Sequence, residues 1–154
     1  MASLGAANRA RGTETGPETA PGSNHEAMSL RGIRGATTVD ANTREAILDA
    51  ATELLSAIIE ANQIQRDDVA SAFFSTTPDL NAEFPALAAR NMGWSHVALM
   101  CAHEMDVPGS LPMCLRILLH VNTSRPPQEL KFVYLRGARA LRPDLAGEDG
   151  QERK

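Results

Sequence analysis

Glu104 and Arg116 are the residues of this chain whose types and spacing most directly suggest chemistry. Residues 101–113 (CAHEMDVPGSLPM) run straight into the apolar segment 114–121 (CLRILLHV), so the carboxylate follows one strand-like run and the guanidinium lies inside another. Burying a cation among Leu, Ile and Val without a partner costs several kcal/mol. The sequence therefore predicts an anionic partner for Arg116, either a protein carboxylate or a bound ligand.

Three further arginines and a tyrosine accompany this pair. Arg34 lies in the first strand-like run, Arg90 on a short helical segment, and Arg142 after the last strand-like run, with Tyr134 shortly before it. The residue types alone leave two interpretations open. These side chains are either solvent-exposed or paired within the protein, or they form an anion pocket whose guanidinium groups bind a small polycarboxylate.

Cysteine and histidine side chains occur around the same loop, and their types suit zinc. The spacing does not, because the sequence has no CxxC and no HExxH motif. A cysteine nucleophile with a histidine base is also conceivable, but Cys101 and His103 would share one strand face and nothing marks a leaving-group acid. No metal or other cofactor is predicted. The residues considered were Cys101, His103, Glu104, Cys114, His96 and His120.

The bulk composition excludes several classes of protein. The 154 residues suffice for one domain, and with 43% hydrophobic but only 4% aromatic residues its core must be aliphatic. A net charge of −4 without a basic block argues against nucleic-acid binding. Two cysteines without CxxC favour a reducing compartment, and no run approaches the ~18 apolar residues of a membrane span. We therefore expect a cytoplasmic protein that binds neither nucleic acid nor a membrane.

The chain divides into three parts by composition. Residues 1–27 are rich in Gly, Ala, Pro, Thr and Glu, and we expect a disordered leader because they cannot bury enough apolar surface to offset ordering. The patterned sequence begins at Met28, which is a candidate for the true first residue. Residues 28–145 are the predicted domain, and residues 146–154 form a polar, flexible tail.

The hydrophobic pattern predicts an α/β (α+β) domain with helices covering a sheet, in the order β-α-β-α-β-β-β. Asn42 is the predicted N-cap of the long helix, with Glu45 as its capping-box partner. Gly32 and Gly35 in the first strand indicate a close approach of backbone or ligand. The predicted strands are 30–39, 69–76, 97–101, 115–121 (central) and 138–141, with a short element at 130–135; the helices are 42–62 and a short one begun by Pro85 and ended by Gly93.

Five ordered blocks carry a resemblance to a known family. The chain resembles the monofunctional chorismate mutases of the trimeric α/β-barrel class, which is unrelated to the all-helical class. The resemblance covers about residues 30–145. The blocks are RGIRGATTV at 31–39, TPDLNAEFPALAAR at 77–90, CAHEMDVPGSL at 101–111, CLRILLHVNT at 114–123 and VYL…LRPDL at 133–145.

The resemblance implies a mixed five-stranded sheet packed by helices, three copies of which form a barrel-like homotrimer with active sites between subunits. It also implies the rearrangement of chorismate to prephenate, the committed step toward phenylalanine and tyrosine. This reaction is unimolecular and needs no cofactor. It needs a compact chair-like conformer and stabilisation of the charge that separates as the C–O bond breaks.

By the resemblance, Arg116 would donate to the ether oxygen and a substrate carboxylate, as the main stabiliser of the transition state. Glu104 would accept from the ring hydroxyl and oppose the positive charge of the ring, and Cys101 would lie near that hydroxyl. Arg34 and Tyr134 would hold the side-chain carboxylate.

Four more residues complete the implied site. Phe84 and Arg90 would reach in from the neighbouring subunit, wall the pocket and approach a carboxylate. Leu141 would pack on the ring, and Arg142 would begin a mobile closing segment.

Two positions bear on substrate capture. The family often has a lysine where this chain has Leu87, so we expect weaker capture of the dianion without loss of the chemistry. Met100 is bulky for its position and would tune the pocket. Two alternatives remain: a non-catalytic trimeric protein that binds a small dicarboxylate or has a regulatory role, and a hydrolase or metal enzyme built around Cys101 and His103.

Overall fold

The computed structural model describes residues 27–144. The predicted tail and all of the predicted leader except its last residue lie outside this range, as does residue 145 of the predicted domain. The strands are β1 (Ser29–Thr38), β2 (Val69–Thr76), β3 (Ala98–His103), β4 (Cys114–Thr123) and β5 (Val133–Tyr134), and the helices are α1 (Arg44–Asn62) and α2 (Ala86–Asn91).

The five strands form one mixed sheet in the order β3-β2-β4-β1-β5. β4 is central, as predicted, because it pairs antiparallel with both β1 and β2. The edge strands are parallel to their neighbours, β3 to β2 and β5 to β1. The mixed five-stranded sheet packed by helices that we expected from the sequence is therefore confirmed.

The two faces of the sheet differ in how far other elements cover them. On one face Leu115, Ile117 and Leu119 of β4 belong to the same apolar cluster as the buried stripe of α1. Because strand side chains alternate, Arg116 and Leu118 project from the other face. That face, called the open face below, keeps more solvent exposure and carries the polar and charged strand residues. The buried α1 residues recur at helical spacing and are Ile47, Ala50, Ala51, Leu54, Leu55, Ile58 and Asn62.

The start of α1 differs from the prediction. Thr43, not Asn42, is the N-cap, and its hydroxyl accepts from the amide of Ala46 at 3.2 Å. Asn42 instead accepts from the backbone amides of Asn81 and Ala82 at 3.0 Å each, which fastens the chain before α2 to the start of α1. Within residues 27–144 no helix is long and apolar enough to span a membrane.

Gly35 confirms one of the two predicted close approaches. A Cβ at this position would lie 2.6 Å from the carbonyl oxygen of Val133 and 2.9 Å from Cδ1 of Ile58, so β1 passes between β5 and α1 with no room for a side chain. Gly32 is different, because the nearest atom to its Cβ position is Cδ1 of Leu118 at an ordinary 3.7 Å.

The predicted strand at residues 138–141 is wrong. The chain forms β5 earlier, at Val133–Tyr134, and then a 3₁₀ helix at Arg136–Leu141. Arg136 adopts a left-handed backbone (φ 49°), and the Gly137 amide donates to the Thr38 hydroxyl at 3.1 Å. This turn folds the 3₁₀ helix back over β1, where Ala138 is fully buried.

Candidate functional site

Arg116 and Glu104 meet on the open face. Arg116 is the third residue of β4, and Glu104 follows β3, where its amide donates to the Thr76 carbonyl at 2.8 Å and so extends the pairing of β3 with β2. Arg116 Nε lies 3.9 Å from Glu104 Oε1, within an ion pair but beyond hydrogen-bond distance. The Arg116 side chain is 42% exposed and the Glu104 side chain 30%, so both are accessible to a ligand. The predicted anionic partner of Arg116 is thus near, without a direct hydrogen bond to Nε.

A cavity of about 480 Å³ opens beside this pair, a volume in the range of small-molecule sites. It contains six of the nine site residues predicted from the sequence. A second cavity, near Asn62 and Arg125, measures about 100 Å³ and is too small for such a ligand. The larger cavity is lined by Arg34, Gly35, Ala36, Ser75, Glu104, Arg116, Ile117, Leu118, Tyr134, Leu141 and Arg142.

Two of the three arginines that line the cavity contact nearby side chains. The Arg34 guanidinium lies over the Phe132 ring, 5.7 Å from its centroid, a cation–π geometry. Arg142 makes two hydrogen bonds to Asp144, at 2.9 and 2.7 Å. These bonds raise the pKa of Arg142 further above its usual value, and Tyr134 acts in the same direction, so Arg142 stays cationic. With one carboxylate and three guanidinium groups, the cavity suits an anion.

The other three predicted site residues, Phe84, Arg90 and Cys101, are not among the described residues that line this cavity. Phe84 precedes α2 with 71% of its surface exposed, and Arg90 is exposed in the last turn of α2. Cys101 of β3 packs against the apolar cluster on the covered face. These residues therefore form a second group, near α2 and the β3 edge of the sheet.

The two cysteines carry free thiols. Burial raises the pKa of the Cys101 thiol, against smaller opposing effects of the Ala86 amide and the Arg90 charge. Burial likewise raises the pKa of the Cys114 thiol, although Arg116 opposes it. A nucleophilic cysteine needs the opposite shift, so this geometry disfavours the cysteine-hydrolase alternative. Within residues 27–144 no group of three or more His, Cys, Asp or Glu side chains could hold a metal ion.

A cluster of hydrogen bonds fixes the start of β4, two residues before Arg116. Asp79 accepts from the Thr77 hydroxyl at 2.5 Å and from the Met113 amide at 2.9 Å. The same Thr77 hydroxyl accepts from the Cys114 amide at 2.9 Å. Met113 has a left-handed backbone (φ 52°), and its carbonyl accepts from the Val39 amide. These hydrogen bonds connect three chain segments next to the start of β4.

The sequence did not identify Ser75 as a site residue. Its hydroxyl donates to Glu104 Oε1 and it lines the cavity. The available signal was its alternation with Phe74 and Thr76, which are buried on the covered face, so Ser75 had to share the face of the charged residues. That alternation gives the face of a residue but not its partner on another strand.

The fold and the cavity define a class: a mixed α/β domain whose open sheet face has a cavity lined by arginines and one carboxylate, a lining that suits a small anion. The family model described as chorismate mutase type I matches residues 30–145. Chorismate mutase AroH of Bacillus subtilis (strain 168) is 47% identical over 120 residues, 77% of this chain and 94% of that protein. Chorismate mutase AroH of Thermus thermophilus is 50% identical over 117 residues, 75% of this chain and 96% of that protein.

Solved structures give the same result. A chorismate mutase from Clostridium thermocellum is similar with a TM-score of 0.71 and 50% sequence identity, covering 71% of this chain and 98% of that one. This chain belongs to the chorismate mutase type I family.

Proposed function

We propose that this protein converts chorismate to prephenate by an intramolecular Claisen rearrangement in phenylalanine and tyrosine biosynthesis. Family membership supports the reaction. The single structural observation that carries the proposal is the cavity on the open face, in which Arg116 lies 3.9 Å from Glu104 among further arginines. Such a site suits a dianion that rearranges without a nucleophile.

The reaction breaks a C–O bond and forms a C–C bond within one molecule, so no group is transferred. Negative charge develops on the ether oxygen and positive character on the ring. In our proposal Arg116 donates to the ether oxygen and to a carboxylate, while Glu104 accepts from the ring hydroxyl and faces the cationic ring. Charges fixed in advance need little reorganisation during the reaction, which is why they lower the barrier.

The remaining cavity residues would bind and shape the substrate. We assign the side-chain carboxylate to Arg34 and Tyr134, and the packing of the ring to Leu141. Arg142 would begin the segment that closes over the bound substrate. Holding the flexible substrate in a compact conformer removes part of the entropic barrier in advance, so these contacts contribute to the rate as well as to affinity.

We further propose a homotrimer in which each site joins two subunits. Two observations support this. Phe73 and Met100 are register partners on the open face with 40% and 57% exposure, so the part of this face formed by β2 and β3 carries exposed apolar side chains. Phe84 and Arg90, which the family resemblance assigns to the site, lie with Cys101 in the separate group near α2, where a neighbouring copy would present them.

The free thiols also favour a cytoplasmic location.

The test is the loss of chorismate ultraviolet absorbance with purified protein, run with and without a chelator. Conversion of the product by acid to phenylpyruvate would identify prephenate. We expect turnover that the chelator does not change. A folded protein without turnover would contradict the proposed enzyme and favour the dicarboxylate-binding alternative, whereas turnover abolished by the chelator would contradict the cofactor-free mechanism.

A further inference from the structure

Ser75 lies between the two charged groups that the proposed reaction uses. In the antiparallel pairing of β2 with β4, its register partner is Arg116. In the parallel pairing of β2 with β3, its partner is Ala102, two residues before Glu104. Side chains at these positions project from the same face of a sheet. Ser75 therefore enters the cavity between the carboxylate and the guanidinium.

The hydroxyl of Ser75 binds one particular oxygen of Glu104. It donates to Oε1, the same atom that lies 3.9 Å from Arg116 Nε. Among residues 27–144, no group donates a hydrogen bond to the other oxygen, Oε2. One oxygen is thus held by the protein, and the second is left to accept a hydrogen bond from a substrate.

A neutral donor has a specific advantage at this position. An unrestrained carboxylate so close to a guanidinium would form a direct ion pair with two parallel hydrogen bonds. That pair would occupy both groups and cancel much of their field in the cavity, which the rearrangement needs. The Ser75 hydroxyl holds the Glu104 carboxylate without neutralising it.

We propose that Ser75 is a positioning residue that keeps Glu104 from closing onto Arg116, so that both charges act on the substrate. The inference rests on the proposed function and adds to it a residue on β2. Ser75 acts through Glu104 and donates no proton to the substrate.

Ser71 provides a matched control for the test. It lies four residues earlier on the same strand and face, and its hydroxyl shares a hydrogen bond of 2.9 Å with His120. We expect Ser75→Ala to lower kcat about 10- to 100-fold, the effect of losing a hydrogen bond to a charged group, with a smaller change in KM. Ser71→Ala should stay within about twofold of the wild type, since no charged group of the site loses a partner. Ser75→Thr, which retains the hydroxyl, should recover most of kcat.

A double-mutant cycle separates positioning from a general structural effect. On top of Glu104→Ala, the Ser75→Ala change should lower kcat less than about twofold, because the carboxylate it positions is gone. The same cycle is run on prephenate affinity by calorimetry, which remains measurable if turnover of the double variant falls to the uncatalysed rate.

The outcomes are distinct. If the wild type is active but Ser75→Ala and Ser71→Ala have equal kcat values, the positioning role of Ser75 is overturned and the proposed function stands. Additive effects of Ser75→Ala and Glu104→Ala on kcat would lead to the same conclusion. An inactive, folded wild-type protein would overturn the proposed function on which that role rests.

Discussion

Arg116 combines an unsatisfied donor with a proposed functional role. Its Nε atom is buried and, among the described residues, has no hydrogen-bond partner, although the side chain as a whole is 42% exposed. An unsatisfied buried donor costs roughly 1–3 kcal/mol. A substrate oxygen that accepts from Nε would remove that cost on binding. The Arg116 side chain is thus arranged to bind an anion rather than to stabilise the fold.

Replacement of Arg116 tests this electrostatic role. We expect Arg116→Ala to lower kcat by about 10³-fold or more, because a fixed charge facing the breaking bond is lost. Arg116→Lys should recover little, since an ammonium group cannot hold two oxygens as the planar guanidinium does. The measurement is steady-state turnover of chorismate. Arg66→Ala is the control, at an exposed arginine of the 3₁₀ helix Arg66–Asp68 that donates to the Gly93 carbonyl. Near-full activity of Arg116→Ala would refute the account.

Leu87 on α2 is a residue at which, by the resemblance, this chain departs from the family pattern. It is half-buried and lies three residues before Arg90. We expect Leu87→Lys to lower KM with little change in kcat, because a second cation on α2 attracts the substrate dianion without touching the breaking bond. The measurement is the separate determination of KM and kcat.

The salt dependence of the Leu87→Lys variant provides the control. A decrease in KM that comes from long-range attraction should become smaller as ionic strength rises, since the Debye length falls to about 3 Å at 1 M. Leu87→Met, with a long uncharged side chain, should leave KM unchanged. An unchanged KM for Leu87→Lys at low salt would contradict the assigned location of α2 near the substrate.

Among the elements, the turn after β2 stabilises the strand that carries Arg116. Asp79 is exposed, but its two hydrogen bonds hold Thr77 and the left-handed Met113 together. The Thr77 hydroxyl is the largest cause of a pKa of Asp79 below its ordinary 3.8, and the Met113 amide adds to it. An ionised Asp79 is therefore the form that the folded protein stabilises.

Asp79→Asn should lower the thermal unfolding midpoint at pH 7, because an asparagine has one acceptor oxygen where two are used. A carboxyl whose folded-state pKa is depressed contributes stability above its unfolded-state pKa and loses it as the pH falls through the folded-state value. The difference in midpoint should therefore shrink below pH 3.8. Asp67→Asn, at an exposed residue of the 3₁₀ helix Arg66–Asp68, is the control. A difference in midpoint that stays constant on acidification would contradict this assignment.

The elements also show what the sequence could and could not predict. The strands β1, β2 and β4 and the helix α1 were predictable because each has one buried face with its own period, two for strands and 3.6 for the helix. The N-cap was not, since Asn42 and Thr43 are both good capping residues and the choice depends on distant Asn81.

The 3₁₀ helix at Arg136–Leu141 was missed for a similar reason. Its few apolar residues fit a strand equally well, and its geometry depends on Gly137 meeting Thr38. At the site, Arg116 and Glu104 could be predicted because a charge in an apolar strand demands a partner. Ser75 could not, because hydroxyls fit either face of a strand and its partner is on a different strand.

At the scale of the whole molecule, the separation of the site residues into two groups is the informative feature. Arg116, Glu104 and Arg34 line one cavity, whereas Phe84 and Arg90 are exposed near α2. A site completed between neighbouring copies, as we propose, would use both groups and would cover the exposed apolar side chains of the open face at the same time. A ring of subunits meets this requirement because each copy gives one half-site to each neighbour.

Subunit mixing tests this arrangement directly. Each of the variants Arg116→Ala and Arg90→Ala disables a different half of the proposed site, so each variant on its own should turn over chorismate poorly. When the two variants are co-expressed with different tags and mixed trimers are purified, some sites receive Arg116 from one subunit and Arg90 from the other. In every mixed ring of three, about one site in three is competent, and the activity of the purified mixed trimers should recover to about that fraction of wild type. Mixed trimers that remain as inactive as either parent would show that both arginines serve the same subunit's site, since no combination of chains could then complete it.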